Sequence, residues 1–349
     1  MKRPKELISL EDVNNIEVSP ERKFYSASHE EIVAGHTTDI YFVRTREILA
    51  HFDMKDTEVA AEIFASRAGV LAGVGEALNL LKSKNVEVQS LREGETFASK
   101  EVIMTIRGAY SDFGIYETAL LGILASSSGW ATAAREIKEA AGTRRVYCFG
   151  ARHLHPSVAP VMERAAVIGG ADGCSCVLGA KLLDNNPVGT VPHAVFLIVG
   201  DTVEVAKAYN TIMASDAPRV ILVDTFKDEA EETLRVARAL GKDLFGIRLD
   251  TPSERGGVTP GLVREIRARL DREGFSHVQL LVSGGITAEK IKILAEAGAD
   301  AFGVGSYISR APAIDMTMDI KEVAGEEIAK RGRIPGLRDT TRLTRMQER

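Results

Sequence analysis

The chain is short of cysteine. Cys148, Cys174 and Cys176 are its three, too few for a disulfide framework and suited to a reducing compartment. Cys174 and Cys176 are one residue apart with no second pair, the wrong spacing for a zinc knuckle. No run approaches about 18 consecutive apolar residues, so no transmembrane helix is expected. The opening MKRPKELISLEDV has no apolar core for a secretory signal. These two absences together place the expectation in the cytoplasm, with no membrane partner. Positive charge is not in excess either: 44 Lys and Arg face 49 Asp and Glu, a net charge of -5. No global basic field favours nucleic acid. No G-x-G-x-x-G follows an early strand, which argues against a dinucleotide-binding sheet.

The content that remains is that of an ordinary soluble enzyme, 45% hydrophobic and 27% charged. A length of 349 residues allows one large barrel-type domain and a smaller one. The smaller one is expected at 1–115, as an α+β open sheet. Thr37–Val43 reads as a strand, Val59–Ala65 as an apolar run, and a glycine-containing stretch leads into a helix ending near Leu81. Strands are expected at Val86–Val88 and Val102–Ile106, with a turn at Leu91–Glu95. Glu117–Ala141 reads as a helix with a stripe of Leu120, Leu121, Leu124, Trp130, Ala131 and Ala134. The stripe is broken near Ser126–Gly129, where small residues suit close packing.

Beyond it the pattern turns regular. Strand-like runs occur at Val146–Phe149, Gly173–Val177, Val191–Phe196, Val220–Asp224, Phe245–Leu249, Val278–Val282 and Ala301–Val304. Most are separated by helical stretches such as Asp228–Leu240 and Pro260–Arg272. Alternation of this kind predicts a parallel sheet of βα units, an incomplete (β/α) barrel over 116–310. The segment 311–349 either returns to the first domain or forms a tail. From Glu326 it carries Lys330, Arg331, Arg333, Arg338, Arg342, Arg345 and Arg349, which reads as a solvated face or a partly disordered end.

Residues at strand carboxyl ends face the active site in such barrels. Those ends supply Phe149, Arg152 and His153; Ser175; Thr190 and His193; Asp224; and Arg248, Asp250 and Thr251. The last two ends are glycine pairs, Ser283-Gly284-Gly285 and Gly303-Val304-Gly305-Ser306. Glycines there let backbone N–H groups approach a phosphate. Two arginines, two histidines and two aspartates around such a grip suit a phosphorylated, polyanionic substrate. The aspartates could compensate the arginines, hold Mg²⁺, bind ribose hydroxyls or stabilise a developing cation. His193 could be a base, a phosphate ligand or a phosphoryl acceptor. Taken singly, Arg248 and Asp250 could equally be a plain ion pair on one strand face, and His193 a satisfied core histidine.

The motifs TDIY (Thr38–Tyr41), ETALLGILASSSGWAT (Glu117–Thr132), FGARHLHP (Phe149–Pro156), GTVPHA (Gly189–Ala194), VDTF (Val223–Phe226), RLDT (Arg248–Thr251), SGGI (Ser283–Ile286) and DAFGVGS (Asp300–Ser306) occur in one order and spacing. In these the chain resembles the type II pyridine phosphoribosyltransferases, specifically those acting on nicotinate. The resemblance implies an irregular TIM-like α/β barrel with an N-terminal α+β open-faced sandwich. It also implies a homodimer, or a higher homo-oligomer, with active sites at the interface. It implies transfer of 5-phosphoribose from phosphoribosyl pyrophosphate to the ring nitrogen of nicotinate, with Mg²⁺ and with ATP as a co-substrate. In that reading His193, Asp224, Asp250 and Arg248 carry the chemistry, with His193 at the phosphorylatable position and Asp224 and Asp250 as possible Mg²⁺ ligands. Tyr41, reaching in from a partner subunit, and Phe149 stack on the pyridine. Arg152, His153, Ser175, Thr190, Thr251, Ser283, Gly284, Gly285, Gly303, Gly305 and Ser306 bind the substrates. Ser175 stands where nicotinamide-using relatives have an aspartate, so it is compatible with a carboxylate. Some relatives carry a C-terminal cysteine cluster for zinc; no cysteine follows Cys176, so no zinc is expected. The alternatives are quinolinate or nicotinamide as acceptor, or a non-catalytic barrel that binds phosphosugars.

Overall fold

A computed structural model describes residues 4–338 and 340–348. Arg349, the last basic residue of the tail, lies outside the described residues. The chain divides into two compact units, 1–131 with 312–349 and 132–311. The division falls inside the long helix Glu117–Ala141, which belongs to both.

The first unit is built on a six-stranded antiparallel sheet. Its order is Glu326–Glu327, Met316–Val323, Glu58–Ala65, Val102–Ala109, Val86–Ser90 and Thr344–Gln347. Glu58–Ala65 is buried along nearly its whole length, as a central strand must be. Val86–Ser90 alternates buried and half-buried residues, the period of a strand with one face on the core. Ile63, Leu81, Met104, Ile106, Phe113 and Leu120 fill that core.

Two sequence expectations for this unit fail. Thr37–Val43 is not a strand: Asp39 caps a helix, Ile40–His51. A short run of β-branched and aromatic residues has no period of its own, and the twelve-residue stretch that follows decides in favour of helix. The basic tail is neither solvated throughout nor loose among the described residues. Arg338 bonds the buried Glu62 through its backbone N–H and its guanidinium. Arg342 pairs with Glu101 and Arg345 with Glu87. Lys330 and Arg333 both pair with Asp319. The Ser126–Gly129 stretch does not break its helix. Ser128 Oγ accepts from the Ala72 N–H at 3.2 Å, and the Pro312 carbonyl occupies the place a side chain at Gly129 would need. Close packing is what the small residues serve.

The second unit is a curled parallel sheet of six strands, a half-barrel. Its order is Gly173–Cys174, Arg145–Cys148, Ala301–Val304, Gln279–Val282, Gly246–Leu249 and Val220–Leu222. The fold is therefore α/β with a separate N-terminal α+β unit. The seventh run, Val191–Phe196, is not a strand: its last four residues open the helix His193–Val199, with Pro192 at the N-cap. A run this short cannot by periodicity distinguish the two. The outer helices are cut by their caps: Asp228 before Glu229–Leu240, Thr259 before Pro260–Arg272 and Thr287 before Ala288–Glu296. Strands end earlier than the apolar runs. Val220–Leu222 stops two residues short of Asp224, and Gly246–Leu249 one short of Asp250. Among the described residues, no helix is long and apolar enough to cross a membrane.

Candidate active site

The carboxyl ends of the half-barrel strands carry the polar groups of the second unit. Arg248 organises the largest set. Its Nε donates to Ser283 Oγ at 2.8 Å and its Nη1 to Thr190 Oγ1 at 3.0 Å. Its Nη2 lies 3.3 Å from Asp250 Oδ2, and its guanidinium stands 5.2 Å from the centroid of the Phe149 ring. Ser283 Oγ in turn donates to Asp250 Oδ1 at 2.7 Å. Four separate strand ends and loops thus meet on one guanidinium, whose planar fork is suited to holding several acceptors at once.

A second set pairs His193 Nε2 with Asp224 Oδ2 at 3.1 Å. The Asp224 side chain is 1% exposed and that of His193 40%. An ionised Asp224 only accepts, so with the carboxylate charged this bond is made by a proton on Nε2. Burial pushes the Asp224 carboxyl above its ordinary range, the bond to His193 pulls it down, and the nearby charge of Asp250 pushes it up. The net direction is up. Asp224 Oδ1 and Thr225 Oγ1 are buried without a hydrogen-bond partner, an arrangement that calls for a ligand.

The two glycine pairs differ. Gly284 and Gly285 are exposed and have φ of +86° and +59°, leaving their backbone open beside Asp250. Gly303 is closed: a Cβ there would lie 2.5 Å from Phe149 Cε2. The missing side chain is the seat of the Phe149 ring. Gly305 is covered likewise by the Phe149 carbonyl and the His153 ring. Ser306 opens a four-residue helix, Ser306–Ser309. His153 Nδ1 shares a hydrogen bond with Ser309 Oγ at 3.0 Å. Burial lowers the His153 pKa, and the charges of Arg152 and Arg310 lower it further. Arg152 itself is exposed.

Two sequence-derived residues of the second unit spend their hydroxyls on buried carboxylates, and a third belongs to the first unit. Thr251 is 5% exposed, and its hydroxyl donates to buried Glu229 at 2.8 Å. Ser175 donates its one proton to Glu163 Oε1 at 3.1 Å. Tyr41 belongs to the first unit, on the helix Ile40–His51, and its side chain is half exposed.

Glu163 was not found from the sequence. It is fully buried in the helix Ala159–Gly169. Besides Ser175, it accepts from the N–H groups of Gly150 at 3.1 Å, Ala151 at 3.0 Å and Cys176 at 2.5 Å. The signal was there to read: Glu163 lies four residues after Ala159 and three before Ala166, on the apolar face of its helix. A charge at such a position needs several donors.

Mg²⁺ takes oxygen ligands, usually one or two carboxylates with water and substrate phosphates. Asp224, with its unpartnered oxygen, and Asp250 fit that demand. No cluster of three or more His, Cys, Asp or Glu able to hold a metal occurs among the described residues.

Two family models match. Residues 39–128 fit the quinolinate phosphoribosyl transferase N-terminal domain and residues 130–319 its C-terminal domain. A crystal structure of nicotinate-nucleotide pyrophosphorylase from Pyrococcus furiosus is similar at 46% identity with a TM-score of 0.86, over 90% of this chain and 82% of that one. Nicotinate phosphoribosyltransferase pncB1 of Mycobacterium tuberculosis is 28% identical over 70% of this chain and 55% of its own length. A probable nicotinate-nucleotide pyrophosphorylase [carboxylating] of Methanothermobacter thermautotrophicus is 25% identical over 76% of this chain and 90% of its own. The chain thus spans about half the length of the curated nicotinate phosphoribosyltransferases that it matches.

Proposed function

Since the chain belongs to the quinolinate phosphoribosyl transferase family, the type II phosphoribosyltransferases of NAD metabolism, we propose that it transfers 5-phosphoribose from phosphoribosyl pyrophosphate to the ring nitrogen of nicotinate, giving nicotinate mononucleotide and pyrophosphate. The observation that carries this reading is the junction of Arg248, Asp250, Ser283 and Thr190 beside an open Gly284–Gly285 backbone. It offers a cation and hydroxyls for a diphosphate, a carboxylate for a ribose and N–H groups for a 5′-phosphate.

As the anomeric carbon–oxygen bond breaks, positive charge grows on the sugar and negative charge on the leaving diphosphate. Asp250 and Asp224 stabilise the first; Arg248 and Arg152 stabilise the second. Mg²⁺, held by Asp224 or Asp250 together with substrate oxygens, would add to the stabilisation of the leaving group. The pyridine nitrogen already has its lone pair, so no base is needed, and holding the ring in line against Phe149 does the remaining work. Tyr41 of a second copy closes the other ring face in a homodimer. Exposed apolar side chains in both units, Ile48 and Phe52 in one and Leu197 and Ile198 in the other, are in keeping with such an assembly. His193 is the group that would accept a phosphoryl from ATP in a coupled cycle.

Nicotinate is favoured as acceptor because Ser175 is neutral and so compatible with a carboxylate. A second reading, quinolinate, draws on the second guanidinium near His153, that of Arg310, and on the likeness to the Pyrococcus furiosus protein. The test is to incubate the protein with nicotinate, phosphoribosyl pyrophosphate and Mg²⁺, with and without ATP, and to follow nicotinate mononucleotide. Formation that Asp250→Ala abolishes supports the proposal. Formation unchanged by Asp250→Ala at saturating substrates refutes the assignment of the site.

A further inference from the structure

Asp224 and Asp250 stand beyond the last residues of their strands, Val220–Leu222 and Gly246–Leu249, so the strand ladders end before either carboxylate is fixed. Glu229 joins the two loops that carry them. It opens the helix Glu229–Leu240, and the N-cap Asp228 holds that start by accepting from the N–H groups of Ala230 and Glu231. Only residues 225–228 separate it from Asp224. Glu229 is 4% exposed, and its Oε1 accepts the hydroxyl of Thr251, the residue after Asp250, at 2.8 Å. Its Oε2 lies 4.0 Å from Nη2 of Arg255 in the same neighbouring loop. A carboxylate in the first turn of a helix gains from the helix dipole without leaving water. Burying it costs free energy unless a donor meets it, and here the hydroxyl that meets it comes from the loop of Asp250.

We propose that Glu229 is a positioning residue of the transferase site, tying the Asp250 loop to the Asp224 loop and holding the Asp250 carboxylate against Arg248; this rests on the transferase reading above. The backbone supplies the means. Thr251 precedes Pro252, whose ring restricts it to extended conformations. Neighbouring side chains on an extended backbone point to opposite sides. Anchoring the Thr251 hydroxyl on the buried carboxylate therefore turns Asp250 the other way. There Ser283 Oγ donates to it at 2.7 Å and the Arg248 guanidinium lies 3.3 Å off. Past Pro252 the loop closes on itself, the N–H groups of Arg255 and Gly257 both donating to the Pro252 carbonyl at 3.0 Å. Glu229 is the anchor from this self-contained turn to its neighbour. Without it Asp250 keeps its charge partners but loses its fixed relation to Asp224.

Two substitutions at Glu229 test the idea, assayed with nicotinate, phosphoribosyl pyrophosphate, Mg²⁺ and ATP. Glu229→Gln keeps an acceptor oxygen for Thr251 and is expected to hold kcat within about threefold of the wild type. Glu229→Ala removes the acceptor. Its kcat is expected to fall about 10- to 100-fold, the order that a shift of about 1 Å at the reacting atoms costs, with the nicotinate KM within about threefold. Thr251→Val, which keeps the shape and removes the donor, carries the same expectation and serves if Glu229→Ala does not fold. The double variant Glu229→Ala/Thr251→Val should lose no more than Glu229→Ala alone, because both changes act through one bond. Unchanged kcat in Glu229→Ala or Thr251→Val, even with a lower thermal midpoint, overturns the proposal and leaves the transferase reading intact. So does a loss in Glu229→Gln as large as that in Glu229→Ala, or losses that add in the double variant. A wild-type protein that releases no pyrophosphate with any pyridine acceptor overturns the transferase reading itself and the proposal with it.

Discussion

The Arg248 guanidinium lies 5.2 Å from the centroid of the Phe149 ring, so the cation assigned to the diphosphate and the ring assigned to the acceptor pack against each other. Lysine cannot reproduce this. It has no fork to reach Ser283 and Thr190 together and no flat face to lay on the ring. Arg248→Lys is therefore expected to lower kcat/KM by about 100-fold or more. Steady-state kinetics should show losses for both substrates, and a loss confined to phosphoribosyl pyrophosphate would separate the two roles.

The glycine pairs should separate by substrate. Gly303→Ala places a methyl on the Phe149 ring and is expected to raise the nicotinate KM while sparing that of phosphoribosyl pyrophosphate. Gly284→Ala strains a backbone at φ +86°, costing about 1 kcal/mol of stability, and should raise the phosphoribosyl pyrophosphate KM instead. Indistinguishable kinetic profiles for the two variants would contradict the division between them.

Asp224 is a site where function opposes stability. Its folded-state pKa is raised, chiefly by burial, so the folded protein binds the proton more tightly than the unfolded chain. The cost of holding it ionised is absent below the unfolded pKa and grows as pH rises to the folded one. Asp224→Asn removes the charge while keeping the shape. Thermal denaturation at neutral pH should show a midpoint equal to or above that of the wild type, with turnover lost.

Glu117, in the first unit, gives a second pH dependence. Burial raises its pKa to about 7; Asp319 adds to the rise and Lys330 opposes it. Stability is then lost as pH climbs from the ordinary glutamate range through about 7. Glu117→Gln should gain on the order of 2 kcal/mol over the wild type at pH 8, after allowance for solvent screening, and nothing at pH 4. Urea midpoints at the two pH values decide it, and a gain that does not vary with pH would contradict the cause given.

The tail can be tested by truncation. Ending the chain at Pro335 removes Arg338 from the buried Glu62 and takes the edge strand Thr344–Gln347 with it. An uncompensated buried carboxylate alone costs about 3–5 kcal/mol. Urea denaturation should show a loss of that order, and a loss under about 1 kcal/mol would mean that the tail is peripheral.

Much of this was legible in the chain. The alternation of apolar runs with capped helices located all six strands of the half-barrel to within a few residues, overextending Gly173–Cys174 and Val220–Leu222 most. The polar residues beyond those runs, Arg248 and Asp250 with Ser283, and His193 with Asp224, do come together. What failed did so for physical reasons. The runs at Thr37–Val43 and Val191–Phe196 are too short for their period to tell strand from helix. The arginines of the tail looked solvated because their partners, Glu62 and Glu101, lie more than two hundred residues away. Glu163 and Glu229 were missed because a carboxylate in a helix usually faces water. Gly303 looked like a phosphate ligand, and only the packed ring shows why it lacks a side chain.

The most direct test of transfer to nicotinate compares pyrophosphate release from phosphoribosyl pyrophosphate with nicotinate, quinolinate or nicotinamide as the acceptor, under one set of conditions with Mg²⁺ and ATP. The highest kcat/KM is expected with nicotinate, with formation of nicotinate mononucleotide. A higher kcat/KM with quinolinate, or no release with any of the three, would contradict it.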